Sequence, residues 1–385
     1  MSSLPTFPVT TVGSWPRSPG LLRALRERRR GTISADQFRE VARAGVRESL
    51  RAQVEAGVDL VTDGEQKRDN FYSFVAEKLD GVRLMTLAEM LDLVEDKEGF
   101  RQLLDTLDVP AFSISNPTCV GEIRLREPLA VNDLHYLRTL TDRPIKVTLP
   151  GPYLLTRAMW VPEATREAYP DKEALGARVV EILRGEIEQL ARAGADFIQL
   201  DEPVLTELVF SQGQTRTFMC AALAARKDPQ EELEFAVSMI GRVLEGAGEV
   251  RTGLHVCRGN WSRDESTLLS GTYAPLAPWF ERMPVRQLVL EYATSRAGEV
   301  VSPGGKELGL GVVNPRSDEI EAPAQICERV RAAMRHVPAE RLFLNPDCGF
   351  GTFAARPMNT PDVAARKLAS MVAAARILRE GSAST

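Results

Sequence analysis

Apolar residues recur along this chain with two different periods. Between positions 34 and 56 they fall at Phe38, Val41, Ala42, Val46, Leu50 and Val54, the spacing of one helical face. Ser34 stands where an N-cap belongs, and Gly57 where a left-handed residue ends a helix. A short apolar run that ends in acidic residues follows directly. The same unit appears twice, as "AQVEAGVDLVTDGE" (52–65) and "QLARAGADFIQLDEP" (189–203), where Gly194 takes the place of Gly57. Both read as helix, glycine, buried strand, loop. Strands that are apolar throughout belong to parallel sheets covered on both faces.

Eight strands of this kind are expected, at 9–14, 59–65, 145–151, 196–202, 250–257, 286–292, 307–313 and 341–347. Helix-like segments separate most of them, and 360–380 supplies a closing helix. This alternation predicts an α/β fold of the TIM (β/α)8 barrel type. A doubly wound open sheet is the alternative, but no glycine-rich dinucleotide fingerprint follows the first strand. The segment 81–144 interrupts the repeat. There "EMLDLVEDKEGFRQLLDTL" (89–107) reads as a helix and "AFSISNPTCVGEIRLREPLAV" (111–131) as a β-hairpin. A helix-plus-hairpin insertion after the second strand is therefore expected. With no linker-like stretch, residues 1–385 are expected to form one domain with a frayed tail at 381–385.

Composition narrows the function classes. A net charge of −5 over 385 residues offers no basic field for nucleic acid and no polybasic membrane patch. The basic run "RALRERRRG" (23–31) is interrupted by Glu27 and reads as a solvated helix face. No apolar run approaches the ~20 residues of a membrane-spanning helix, and the first residues lack the pattern of a signal peptide. A cytoplasmic protein is expected. Its 5 cysteines are scattered and form no disulfide framework. Cys220 and Cys327 lie in helix-like stretches and read as small core residues.

In a barrel of this type, chemistry collects at the C-terminal ends of the strands. Those positions carry Ser14, Glu65, Asp201, His255 with Cys257, Glu291 and Cys348. In "GLHVCRGNW" (253–261) His255 and Cys257 are two apart in a strand and so share a face. The turn in "LFLNPDCGFGTF" (342–353) exposes Cys348 at the end of the last strand. His255, Cys257, Glu291 and Cys348 together make a plausible Zn2+ ligand set. Pairing of Glu291 with Arg296 is the competing reading. Two thiolates and a carboxylate give a zinc site of about minus one overall, which suits a bound substrate thiolate better than a water nucleophile. Zinc-activated alkylation of a thiol is the chemistry expected. Glu65 and Asp201 could work as an acid–base pair, as in glycosidases, or hold an ammonium group. Ser14 could bind a carboxylate. Asp201 and Ser14 could instead cap helices. After the third strand, Met159 and Trp160 in "PGPYLLTRAMW" could stack on a flat heterocycle or fill the core.

Eight short motifs together resemble the cobalamin-independent methionine synthase family. In order they are "TTVGSWPRS", "TDGEQKRDNF", "NPTCVGEI", "LPGPYLL", "IQLDEPVL", "HVC", "EYATSR" and "NPDCGFGTF". The resemblance covers the catalytic C-terminal barrel of the family's longer members, which carry a further N-terminal half. It implies an S-methyltransferase that makes methionine from homocysteine, with zinc on His255, Cys257, Glu291 and Cys348. It implies homocysteine contacts at Ser14, Glu65 and Asp201, and donor-side positions at Thr118, Cys119, Met159 or Trp160, and Glu207. One departure concerns the donor. Members that use methylfolate carry a histidine before a Ser-Pro-Arg stretch after the seventh strand, where this chain reads "GLGVVNPRSDEIE" (309–321). His135 and His336 do not align with it. The donor is thus expected to be methylfolate or a methyl-corrinoid, including a corrinoid protein. Short chains of this kind also resemble epoxyalkane:coenzyme M transferases, which activate another thiol. A barrel with only structural zinc is the non-enzymatic alternative.

Overall fold

The computed structural model describes residues 4–90, 93, 115–210 and 228–382. Its centre is a six-stranded parallel sheet. The strands are β3 (Lys146–Pro150), β4 (Phe197–Asp201), β5 (Arg251–Val256), β6 (Gln287–Leu290), β7 (Glu307–Val313) and β8 (Leu342–Pro346), paired in chain order. Two more segments join the edges through single parallel bridges. Val9 pairs with Leu344, Thr10 with Leu60, and Val61 with Ile145. These run from β8 back to the residue before β3. Nearly every residue of the six strands is buried, which is why each reads as an apolar run.

The helices sit where the sequence puts them. Ala35–Ala56 starts at Ser34, whose hydroxyl accepts from Gln37 N while the Gln37 side chain accepts from Ser34 N. It ends at Gly57 with φ 89°. Phe38, Ala42, Val46 and Leu50 are buried, but Val41 is exposed on the solvent side. The closing helix spans Pro361–Ser382. Among the described residues, no helix is long and apolar enough to cross a membrane.

The expected hairpin within 111–131 is corrected. Residues Ser115–Leu125 form one strand, β2, which pairs antiparallel with β1 (Leu79–Thr86) across the intervening segment. Pairing between distant segments leaves no turn motif to read, so the sequence pattern suggested a local partner instead. Apart from the single turn Leu87–Met90, the expected helix over 89–107 lies almost wholly outside the described residues, as does Cys220. Cys327 is buried in the helix Pro323–Ala333.

Helix Pro152–Met159 shows how the rim is set. Its first N–H groups are satisfied by Glu202, which accepts from Tyr153 N at 2.7 Å and from Leu154 N at 2.9 Å. A Cβ on Gly151 would collide with that carboxylate. Burial pushes Glu202 up to about 8 from its ordinary value near 4.5, against those two bonds. A raised native pKa means that protonation favours the folded state. Its contribution is complete below pH ~4.5 and is lost as pH rises through about 8. Glu202→Gln should therefore flatten the fall of Tm between pH 5 and 8. An unchanged slope in that variant would show that another group governs it.

Candidate metal and substrate site

Three buried donors come together at the strand ends. The ligand atoms of His255, Cys257 and Cys348 all lie within 4.8 Å of one another. His255 stands next to the last residue of β5, and its Nδ1 is 3.1 Å from the Val289 carbonyl. That contact orients the ring and leaves Nε2 buried without a hydrogen-bond partner. Burial disfavours the imidazolium, yet the neighbouring Cys348, Asp201 and Glu291 outweigh it and raise His255 to about 9. The Cys348 thiol is pushed well up by its contact with Cys257 and by burial. Two thiols and an imidazole this close together, all buried, are a soft donor set that a cation such as zinc would neutralise.

The loops that carry these donors are tied to each other. Asn260 Nδ2, after β5, donates to the Gly349 carbonyl and to Thr352 Oγ1, both at 2.8 Å. Asp347 Oδ1 accepts from Tyr292 N and Ala293 N, both at 2.8 Å. These bonds join the loops after β5, β6 and β8 to one another.

The same cavity carries acidic groups. Its lining includes Ser14, Glu65 and Asp201 together with His255, Cys257 and Cys348. Glu65 has φ 55°, a conformation uncommon for a non-glycine residue and concentrated at functional sites. Its Oε1 accepts from Thr148 Oγ1 at 2.8 Å, while Oε2 is buried with no partner. Asp201 accepts from Gln199 Nε2 at 2.8 Å, and burial pushes it up to about 6. Ser18, not Ser14, caps the helix Pro19–Arg29, its Oγ accepting from Leu21 N at 3.3 Å, and the Asp201 carboxylate is engaged by Gln199.

A family comparison supplies the decisive observation: the model of the cobalamin-independent synthase catalytic domain matches residues 7–377. The chain belongs to the cobalamin-independent methionine synthase family. A methionine synthase from Pyrococcus abyssi is 29% identical over 381 residues, covering 98% of this chain and 94% of the relative. A 5-methyltetrahydropteroyltriglutamate–homocysteine methyltransferase from Thermotoga sp. is 24% identical over 98% of this chain, which spans 45% of that relative. In fold, the chain is similar to a B12-independent methionine synthase from Shewanella sp. W3-18-1 solved with selenomethionine. The TM-score is 0.75 at 23% identity, covering 99% of this chain and 100% of that one.

Within this family member, Glu291 stands apart from the three donors. It is held by arginines: Arg316 Nη1 reaches Oε1 at 3.2 Å, Arg296 Nη2 reaches Oε2 at 3.1 Å, and Arg258 N donates to Oε2 at 3.2 Å. Burial alone would raise Glu291, but the cations of Arg296, Arg316 and Arg258 hold it below its ordinary value. Asp347 is pushed up to about 6 by burial and by Glu291, with Arg316 opposing. None of Thr118, Cys119, Met159, Trp160 or Glu207 lines the cavity. Met159 is fully buried in the core, with Trp160 beside it nearly so. Thr118 and Cys119 are buried in β2, and Glu207 in the short helix Val204–Phe210.

Sequence reasoning missed Thr148, Gln199, Asn260, Arg316 and Asp347. Two signals were available. "QLDEP" sets an amide two residues before Asp201 on one strand face, and "NPDC" sets an acid beside Cys348.

Proposed function

We propose that this protein is a zinc-dependent S-methyltransferase that converts homocysteine to methionine within a closed, single-domain eight-stranded barrel. The observation that carries the reading is one cavity lined both by His255, Cys257 and Cys348 and by Ser14, Glu65 and Asp201. An amino acid with a terminal thiol matches that division. Its ammonium would lie between Glu65 and Asp201, its carboxylate at Ser14, and its sulfur toward the thiols and imidazole.

His255, Cys257 and Cys348 would hold the metal, with Glu291 as a fourth, exchangeable ligand that Arg316 and Arg296 receive when it withdraws. Zinc in this set would supply the substrate sulfur as thiolate, where a free thiol of pKa ~8.5 is mostly protonated at neutral pH. The sulfur–methyl bond then forms as the methyl–donor bond breaks, with its electron pair leaving on the donor. Burial around the site excludes water from that transfer. The name of the Pyrococcus abyssi relative supports methionine as product, and the Thermotoga relative's name supports homocysteine as acceptor and a methylated pteroylglutamate as donor.

The test is the zinc X-ray absorption spectrum with and without homocysteine. A rise from two sulfur ligands to three supports the reading, and an unchanged shell sinks it. Turnover with methylcobalamin but not with a methylated pteroylglutamate would transfer the donor role to a corrinoid.

A further inference from the structure

Below the rim, a charged side chain is buried in the sheet without a part in the scheme above. Lys146 opens β3 and is 1% exposed. Its Nζ meets the Thr11 carbonyl, and Gln199 Oε1 lies at 3.1 Å. Gln199 is fully buried and stands two residues before Asp201, so both project to one face of β4. Gln199 Nε2 donates to Asp201 Oδ1 at 2.8 Å and to the Val12 carbonyl at 3.2 Å.

We infer that Lys146 and Gln199 are positioning residues that aim Asp201 at the substrate ammonium. The argument is one of hydrogen-bond polarity. A lysine ammonium has donors only, so Gln199 must turn its oxygen to Lys146 and its NH2 to Asp201 and Val12. The opposite rotamer would put the amide oxygen against two acceptors and the NH2 against a cation, three repulsive contacts in a buried site. Burial lowers Lys146 to about 7, with Asp201 and Glu65 opposing, but either form of the amine has hydrogens for both oxygens it faces. Lys146 thus gives the amide oxygen its donor, while Asp201 and Val12 set the same orientation through the NH2, and the amide in turn fixes Asp201. Without the lysine, Gln199 Oε1 would be buried with no donor, and an amide that shifts to satisfy it loses its hold on Asp201. A buried lysine costs folding free energy, and this ordering gives a physical reason for its place.

The inference rests on reading Asp201 as an ammonium contact, and the experiment separates the two. Binding of homocysteine and of 4-mercaptobutanoate, which lacks the amino group, is measured calorimetrically on the zinc-loaded protein. The variants are Lys146→Met, Gln199→Met and the double substitution. Lys146→Met should fold, because methionine keeps the buried stem and the partners of Lys146 are a carbonyl and an amide oxygen, not a carboxylate left without its cation. Gln199→Met serves as the second probe. Each single variant should weaken homocysteine by about tenfold, the range of one hydrogen bond to a charged group, and leave 4-mercaptobutanoate unchanged. The double variant should lose no more than either single, because both act through one contact. If the wild-type protein does not distinguish the two thiols, the ammonium reading itself fails. If it does and Lys146→Met keeps the distinction, or weakens both thiols equally, the inference is overturned. Losses that multiply in the double variant overturn it as well.

Discussion

Cys348→Ala is expected to abolish turnover, to below ~1% of wild type, and to weaken zinc binding by at least ~100-fold, since even partners of a ligand are worth 10–100-fold in affinity. Cys348 is 5% exposed and lies with His255 and Cys257 inside one 4.8 Å group. Its removal leaves His255 and Cys257 with only the exchangeable, arginine-held Glu291 beside them, too weak a set to hold an ion against competing chelators. The acceptor sulfur would then be a free thiol, only a few per cent ionised at neutral pH. The fold should survive. The thiol stands in a cavity wall, and its neighbour Gly349 remains tied by Asn260. Cys327→Ala provides the contrast. Cys327 is equally buried, on the helix Pro323–Ala333, with its Sγ 3.6 Å from the Ala374 carbonyl. Truncating it should cost about 1 kcal/mol and leave zinc and turnover intact. Zinc content by atomic absorption, with turnover on the same samples, checks the pair. Cys348→Ala that retains both metal and activity would remove the basis for a thiolate site.

Six of the eight expected strands and the three-donor cluster were legible in the sequence because both depend on local order, whereas 9–14 and 59–65 join the sheet only through single bridges. A parallel strand buried on both faces is a run of apolar residues, and its functional loop begins where that run stops. His255 and Cys257 announce a shared face by their spacing alone. Cys348 joins them by topology, which the order of strands supplies. What was not legible is what long-range contact decides. The partner of Ser115–Leu125 is the strand Leu79–Thr86, and nothing in either segment names the other. Val41 fits the helical stripe yet faces solvent, because the stripe is wider than the surface that covers it. Glu291 was read as a ligand from its place at a strand end. The competing pairing with Arg296 is present, but Arg258 and Arg316 also hold it, and Arg316 sits in the "NPRS" loop where only the lack of a histidine had been noticed. Lys146 was visible as a charge inside "IKVTLPG", an exception to an apolar run whose reason needs Gln199 beside it.

Arg316→Met should be the most destabilising change near the site, by about 3–5 kcal/mol at pH 8, the usual cost of removing one partner from a buried ion pair. Arg316 is 2% exposed and serves three carboxylates: Glu291 at 3.2 Å, Asp347 at 3.2 Å and Glu265 at 3.1 Å. Glu291 keeps Arg296 and Arg258 in the variant. Asp347 keeps its bonds from Tyr292 N and Ala293 N and the more distant charge of Arg296, but it loses the one cation bonded to it. The deficit should therefore depend on pH. Asp347 in the native protein is already raised to about 6, above its ordinary 3.8. Its contribution to stability is complete below pH ~3.8 and is lost as pH rises through about 6. Loss of Arg316 moves that native value up further, so the variant's penalty is full at pH 8 and shrinks as the solution is acidified past 6 and Asp347 takes a proton. Chemical denaturation of both proteins at pH 5 and pH 8 measures the difference. A gap that stays constant between the two would attribute the loss to the packing of the arginine stem, and the charge account of the loop that joins Glu291 to Cys348 would fall with it.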